Sequence, residues 1–374
     1  MMVKAFTTGL LVLSCLAETG ADVQAQAAAP VALSSGSDGT LVVVSSDAAE
    51  ALLIDPATGW LLGRFPTGPD PREVALSPDG RYAYVTSYGW IPGPEVRGAS
   101  GGEGARYGAV TGRGLGSESR GVTVLDLVHR RVHAVFQPGQ YRRLQGIRVG
   151  EDGRRLWMTA AADSGIVELD ARTGEVMMLW KTGGADPSTL TLTRDSRRIF
   201  VANTGSHSVT MIDRVTVVPH RIETGPGPRG LALSHDESEL WVANTGDNTV
   251  SVIDTRHLRE AARFPSGGRE PIRLEFRPDG REVWVSHRGS QELTVLDVAS
   301  AAVLFHIPIA GEPRSLTFSD DGTLAFVSVP GRHRVDVVDV ATHEVVGALD
   351  EAADPAGLAW SGRSREERAL PRPR

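Results

Sequence analysis

The chain has 374 residues, 41% hydrophobic and 23% charged, with a formal net charge of −7. This is the composition of a globular protein with room for a large core, and its acidic balance excludes a uniformly basic nucleic-acid footprint. The single cysteine, Cys15, excludes a disulfide within the chain and any cysteine-cluster metal site.

Residues 1–27 read as a secretory signal. Lys4 gives a short basic start, an apolar run from Ala5 to Leu16 follows, and Ala25-Gln26-Ala27 supplies small residues at a cleavage site. The run is too short to span a bilayer, and no later segment is apolar enough. The expectation is a periplasmic or secreted protein without a transmembrane segment. Val12-Leu13-Ser14-Cys15 loosely resembles a lipoprotein box, but Leu13 is atypical there, so anchoring through Cys15 is the weaker alternative.

From residue 31 to residue 360 the chain repeats. An aspartate closes each Val-x-Val-Ile-Asp-like segment: Asp55, Asp126, Asp170, Asp213, Asp254, Asp297 and Asp339. After Asp126 the spacing is 41 to 44 residues, whereas the first gap is 71, which places an insertion in the second repeat. The fifth repeat shows the unit: Gly230-Leu231-Ala232-Leu233-Ser234, a turn, Leu240-Trp241-Val242-Ala243-Asn244, a loop, Val250-Ser251-Val252-Ile253-Asp254, then a fourth strand around Ala261 to Phe264. Short alternating strands at a period just above 40 predict the four-stranded antiparallel blades of an all-β, seven-bladed β-propeller. Ser77-Pro78-Asp79-Gly80 and Arg277-Pro278-Asp279-Gly280 have first-hairpin turn chemistry. Thr or Ser three residues after most ladder aspartates (Thr58, Thr173, Thr216, Ser300, Thr342) fits a local Asx-type turn.

Tyr82-Ala83-Tyr84-Val85-Thr86, Phe200-Val201-Ala202-Asn203 and Trp241-Val242-Ala243-Asn244 resemble the signature of YVTN-family propeller repeats. Leu156-Trp157-Met158-Thr159, Trp284-Val285-Ser286-His287 and Phe326-Val327-Ser328 depart from it. The resemblance implies a periplasmic repeat protein, with relatives that range from surface-layer and DNA- or peptide-interacting modules to haem d1-type and lactonase-like propellers. It therefore leaves catalysis open. Ring closure is expected through the chain ends, with either residues 355–360 or residues 31–34 supplying the inner strand of the first blade. Residues 361–374 read as a disordered tail.

Several motifs dissolve on this scaffold. Gly225-Pro226-Gly227-Pro228-Arg229-Gly230 fits G-x-G-x-x-G but leads into a strand, not the helix that a nucleotide site needs. Gly98-Ala99-Ser100-Gly101-Gly102 lacks the strand–turn–helix context of a nucleophile elbow. The repeated aspartates are turn residues rather than catalytic acids. His207, His287 and His333 are assigned to loops between second and third strands, in different blades, so no metal site is expected and no cofactor is invoked.

The candidate site is the face where chain enters each inner strand. Alignment gives Arg72, Leu144, Ser188, Arg229, Ile272 and Arg314 at one position, then Glu73, Gln145, Thr189, Gly230, Arg273 and Ser315 at the next. Arginines around a funnel mouth suit an anionic ligand. The predicted ligand-binding set is Arg72, Glu73, Gln145, Arg229, Arg273, Arg314, His287 and Trp90, the last in the Gly-rich insertion 88–119 on the same rim. The expected partner of this monomer is a small anion or a periplasmic protein. The alternative, a cofactor-handling or hydrolytic enzyme, has only Glu73 and His287 as candidate groups.

Overall fold

The computed structural model describes residues 39–89, 121–350 and 352–362. The signal segment, residues 31–34, Trp90 and nearly all of the insertion, and residues 363–374 lie outside them. Seven four-stranded antiparallel sheets form a seven-bladed propeller. Blades 2 to 7 each use four consecutive strands, counted outward from the axis. Blade 1 is composite: Pro355–Ser361 is its inner strand and pairs antiparallel with Thr40–Ser45, Trp360 opposite Leu41. This settles the choice left open by the sequence in favour of the C-terminal segment, and it closes the ring.

All seven ladder aspartates end the third strand of their blades. In each blade the Oδ1 atom accepts backbone N–H bonds from residues two or three further on, as from Arg172 and Thr173 to Asp170 and from Val215 and Thr216 to Asp213. Thr173 and Ser300 add hydroxyl bonds to their aspartates. The turn donors hold Asp170 and Asp297 below the usual carboxylate range, while Asp213 and Asp254 are lowered first by hydrogen bonds from the side chains of Arg197 and His257 and then by the turn N–H groups. The repeat is thus visible because one side chain satisfies a tight turn locally.

The core lies between blades. The middle of the second strand carries Tyr84, Trp157, Phe200, Trp241, Trp284 and Phe326 in blades 2 to 7, all buried. Three of them meet an aromatic residue on the next blade's inner strand: Trp241 packs edge-on against Phe276, Trp284 against Phe318, and Phe326 stacks on Trp360 across the ring closure. Full burial of such a side chain contributes about 2–3 kcal/mol. Closer to the axis, Thr86, Thr159 and Ser328 on second strands donate hydroxyl bonds to the carbonyls of Gln145, Ser188 and Ala356 on the next inner strand. Inner strands also touch directly. A Cβ on Gly146, Gly230 or Gly357 would stand 2.8 Å from the carbonyl oxygen of Ser188, Ile272 or Arg72, so only glycine allows that approach.

Candidate functional site: the axial mouth and channel

One backbone hydrogen bond recurs at the rim. In blades 1 to 6 the residue after the second strand donates to the residue just before the inner strand: Ser46 to Asp354, Tyr88 to Asp70, Ala161 to Arg143, Thr204 to Asp186, Thr245 to Gly227 and Arg288 to Glu270. Entry loops and second-to-third-strand loops therefore share one face, as the sequence implied. Five of the six inner strands of blades 1 to 6 open on proline: Pro355, Pro71, Pro187, Pro228 and Pro271. In blade 3 Leu144 takes this place, opposite Ala160, just as Pro228 stands opposite Asn244.

That register corrects the alignment in blade 3 by one residue. Gly146 donates to Thr159 as Arg273 donates to Ser286 and Ser315 to Ser328. Gln145 therefore belongs with Arg72, and Gly146 with Glu73. The mouth ring, from blade 1 to blade 7, is Ala356, Arg72, Gln145, Ser188, Arg229, Ile272 and Arg314. Most of these inner strands carry a register irregularity here, between their first residue and the third or fourth, which turns adjacent residues toward mouth and channel.

The four predicted arginines have different fates. Arg273 of blade 6 reaches across the axis and ion-pairs with Glu73 of blade 2. A second pair of opposite charges, Arg148 of blade 3 and Glu275 of blade 6, lies in the same channel, a cavity of about 320 Å³. Burial pushes Arg273 down to about 10, opposed by Glu275. Burial raises Glu275, opposed by Arg148 and Arg273. Sequence reasoning missed Arg148 and Glu275 because nothing local marks residues that meet across an axis. Arg72 is partly engaged: it bonds Asp70 at 2.7 Å and lies over the Tyr88 ring, with Arg143 over the same ring and bonded to the Tyr88 hydroxyl.

Arg229 and Arg314 alone stay open. They line a cleft of about 540 Å³ with Ile272, Gln291, Glu312, Arg288 and Arg332. Arg288 is paired with Glu270, and Arg332 donates to the Ala310 carbonyl. Among the described residues Arg229 and Arg314 make no side-chain hydrogen bond or ion pair. Burial lowers the Arg314 pKa first, then the neighbouring charge of Arg72 and, more weakly, of Arg229, with Asp354 and Asp70 opposing.

The histidines are structural. His287 is not in a loop; it ends its second strand and is fully buried. Its Nε2 lies 3.0 Å from Ser266 Oγ and its Nδ1 3.4 Å from Thr294 Oγ1, and burial lowers its pKa to about 4. Asn203 and Asn244 occupy the same place, bonded to Thr210 and Ser251. His207 and His333 do sit in the loops, where each Nδ1 accepts a backbone N–H, from Gly227 and Asp354. Glu73 and His287, the only groups suggested for catalysis, are thus tied to Arg273 and enclosed beneath the rim. Among the described residues no three His, Cys, Asp or Glu side chains gather as a metal site, and no helix is long and apolar enough to cross a membrane. Trp90 lies outside the described residues.

Comparison with known proteins adds to the fold. Residues 154–314, from the end of the blade 3 turn to the entry of blade 7, match the model of the YNCE-like beta-propeller family. The match covers the three outer strands of blade 3 and all of blades 4 to 6. No curated protein matches the sequence. A functionally unknown protein from Desulfotomaculum acetoxidans is similar in structure, with TM-score 0.69 and 13% identity over 86% of this chain and 98% of its own. The periplasmic gluconolactonase PpgL of Pseudomonas aeruginosa superposes with TM-score 0.65 and 18% identity, over 86% of this chain and 99% of that one. The dihydro-heme d1 dehydrogenase NirN, in complex with DHE, gives TM-score 0.58 and 19% identity over 84% of this chain and 64% of its own. At these identities the likeness is one of fold, and it bears out the seven-bladed propeller.

Proposed function

We propose that this YNCE-like propeller is an exported binding protein that takes an anionic ligand at the cleft between blades 5 and 7. The observation that carries the reading is the pair Arg229 and Arg314, two part-buried guanidinium groups that pair with no acid among the described residues. Burying like charges together costs folding free energy unless something compensates. A carboxylate or phosphate matches the guanidinium fork and would supply that compensation. The closed channel below supports binding over passage, since the Glu73–Arg273 bridge spans the axis under the mouth. The leader-like residues 1–27 support export.

The test is native mass spectrometry of the full chain purified from an exporting host, beside an Arg229→Ala/Arg314→Ala variant. A co-purifying anion on the wild type that is absent from the variant is expected. The same adducts on both proteins would contradict the reading.

A further inference from the structure

The mouth ring carries more than the two open arginines, and its order around the axis constrains the ligand. From blade 5 through blade 7 and on to blade 2 it runs Arg229, Ile272, Arg314, Ala356, Arg72. Three cations thus alternate with two apolar residues over five adjacent blades. Gln145 and Ser188 complete the circle, and no acid stands in it. Arg314 senses both other arginines, although they belong to blades 5 and 2 on either side of it.

Arg72 is held ready rather than consumed. Asp70 takes one of its terminal nitrogens, Tyr88 supports its plane, and its Nε is buried without a partner. A guanidinium fixed by stacking and one ion pair keeps further donors for a ligand at little ordering cost.

Resting on the anion reading above, we infer that the ligand of this mouth is a small polyanion with three acidic groups spaced around a partly apolar frame. A tricarboxylate and an oligophosphate share this charge, and their frames differ, so binding distinguishes them. Ile272, which lines the cleft with Arg229 and Arg314, favours carbon between the acidic groups.

Isothermal titration of the full chain with acetate, succinate, propane-1,2,3-tricarboxylate and inorganic triphosphate tests this. The tricarboxylate is expected to bind about tenfold more tightly than succinate, the yield of one further charge-assisted contact. Arg72→Gln should remove that step and leave succinate unchanged, while Arg72→Lys should keep part of it; unaltered melting curves check that both variants fold. Tighter binding of triphosphate than of tricarboxylate would assign the site to oligophosphates. Equal affinities for succinate and both trianions, or a uniform loss for every probe in Arg72→Gln, would overturn the inference while Arg229-dependent succinate binding kept the anion site. If no probe binds, or Arg229→Ala changes nothing, the anion site itself falls.

Discussion

In the axial channel each arginine lies near a carboxylate: Arg273 grips Glu73 from across the ring, and Arg148 lies in the field of Glu275. One layer above, at the mouth, Asp354 and Asp70 oppose part of the effect of burial on Arg314, and among the described residues no carboxylate pairs with Arg229 or Arg314. The same residue type therefore serves two ends. In the channel opposite charges neutralise each other and tie distant blades together. At the mouth like charges are brought together, and the proposed anionic ligand would offset that cost.

Breaking the channel should have the largest effect. Glu73→Ala leaves a part-buried guanidinium without its partner and should cost about 3–4 kcal/mol in urea unfolding. Combining it with Arg273→Met should recover most of the loss, because the pair is then removed together. A Glu73→Ala protein as stable as the wild type would show that the bridge is not structural.

The next effect separates rim from interior by pH. His287 has a folded pKa of about 4, below its ordinary 6.5, so between those values the unfolded chain binds more protons than the folded one. Its contribution is in full force above pH 6.5 and is lost as pH falls toward 4, about 3 kcal/mol in all. His287→Asn, which copies Asn203 and Asn244, should flatten the stability curve in that window. A slope unchanged by the substitution would count against burial of a neutral imidazole. At the mouth, Arg229→Ala and Arg314→Ala should each weaken anion binding about tenfold, read by titration with succinate.

The seven blades were legible because each ladder aspartate serves a turn within three residues of itself. The mouth was legible in most blades because proline marks the start of the inner strand; in blade 3 Leu144 stands there instead, and the reading slipped by one residue. His287 was misplaced because an Asn-to-His exchange shows chemistry but not burial, and here the ring fills an interior place under Gly268. Which arginines are paired was not legible at all. Arg72 and Arg229 look alike in sequence, each following a proline, yet Asp70 stands before one entry and Gly227 before the other. The Glu73–Arg273 bridge depends on two blades facing each other across a closed ring, which local sequence does not record.

The most direct test of the central claim is thermal unfolding of the wild type and of Arg229→Ala/Arg314→Ala, each with and without saturating propane-1,2,3-tricarboxylate. Without the anion the variant should melt no lower than the wild type, since it loses no ion pair and sheds like-charge repulsion. With the anion only the wild type should gain stability, by mass action on the folded state. A variant that melts well below the wild type in anion-free buffer, or that is stabilised equally by the anion, would contradict the account.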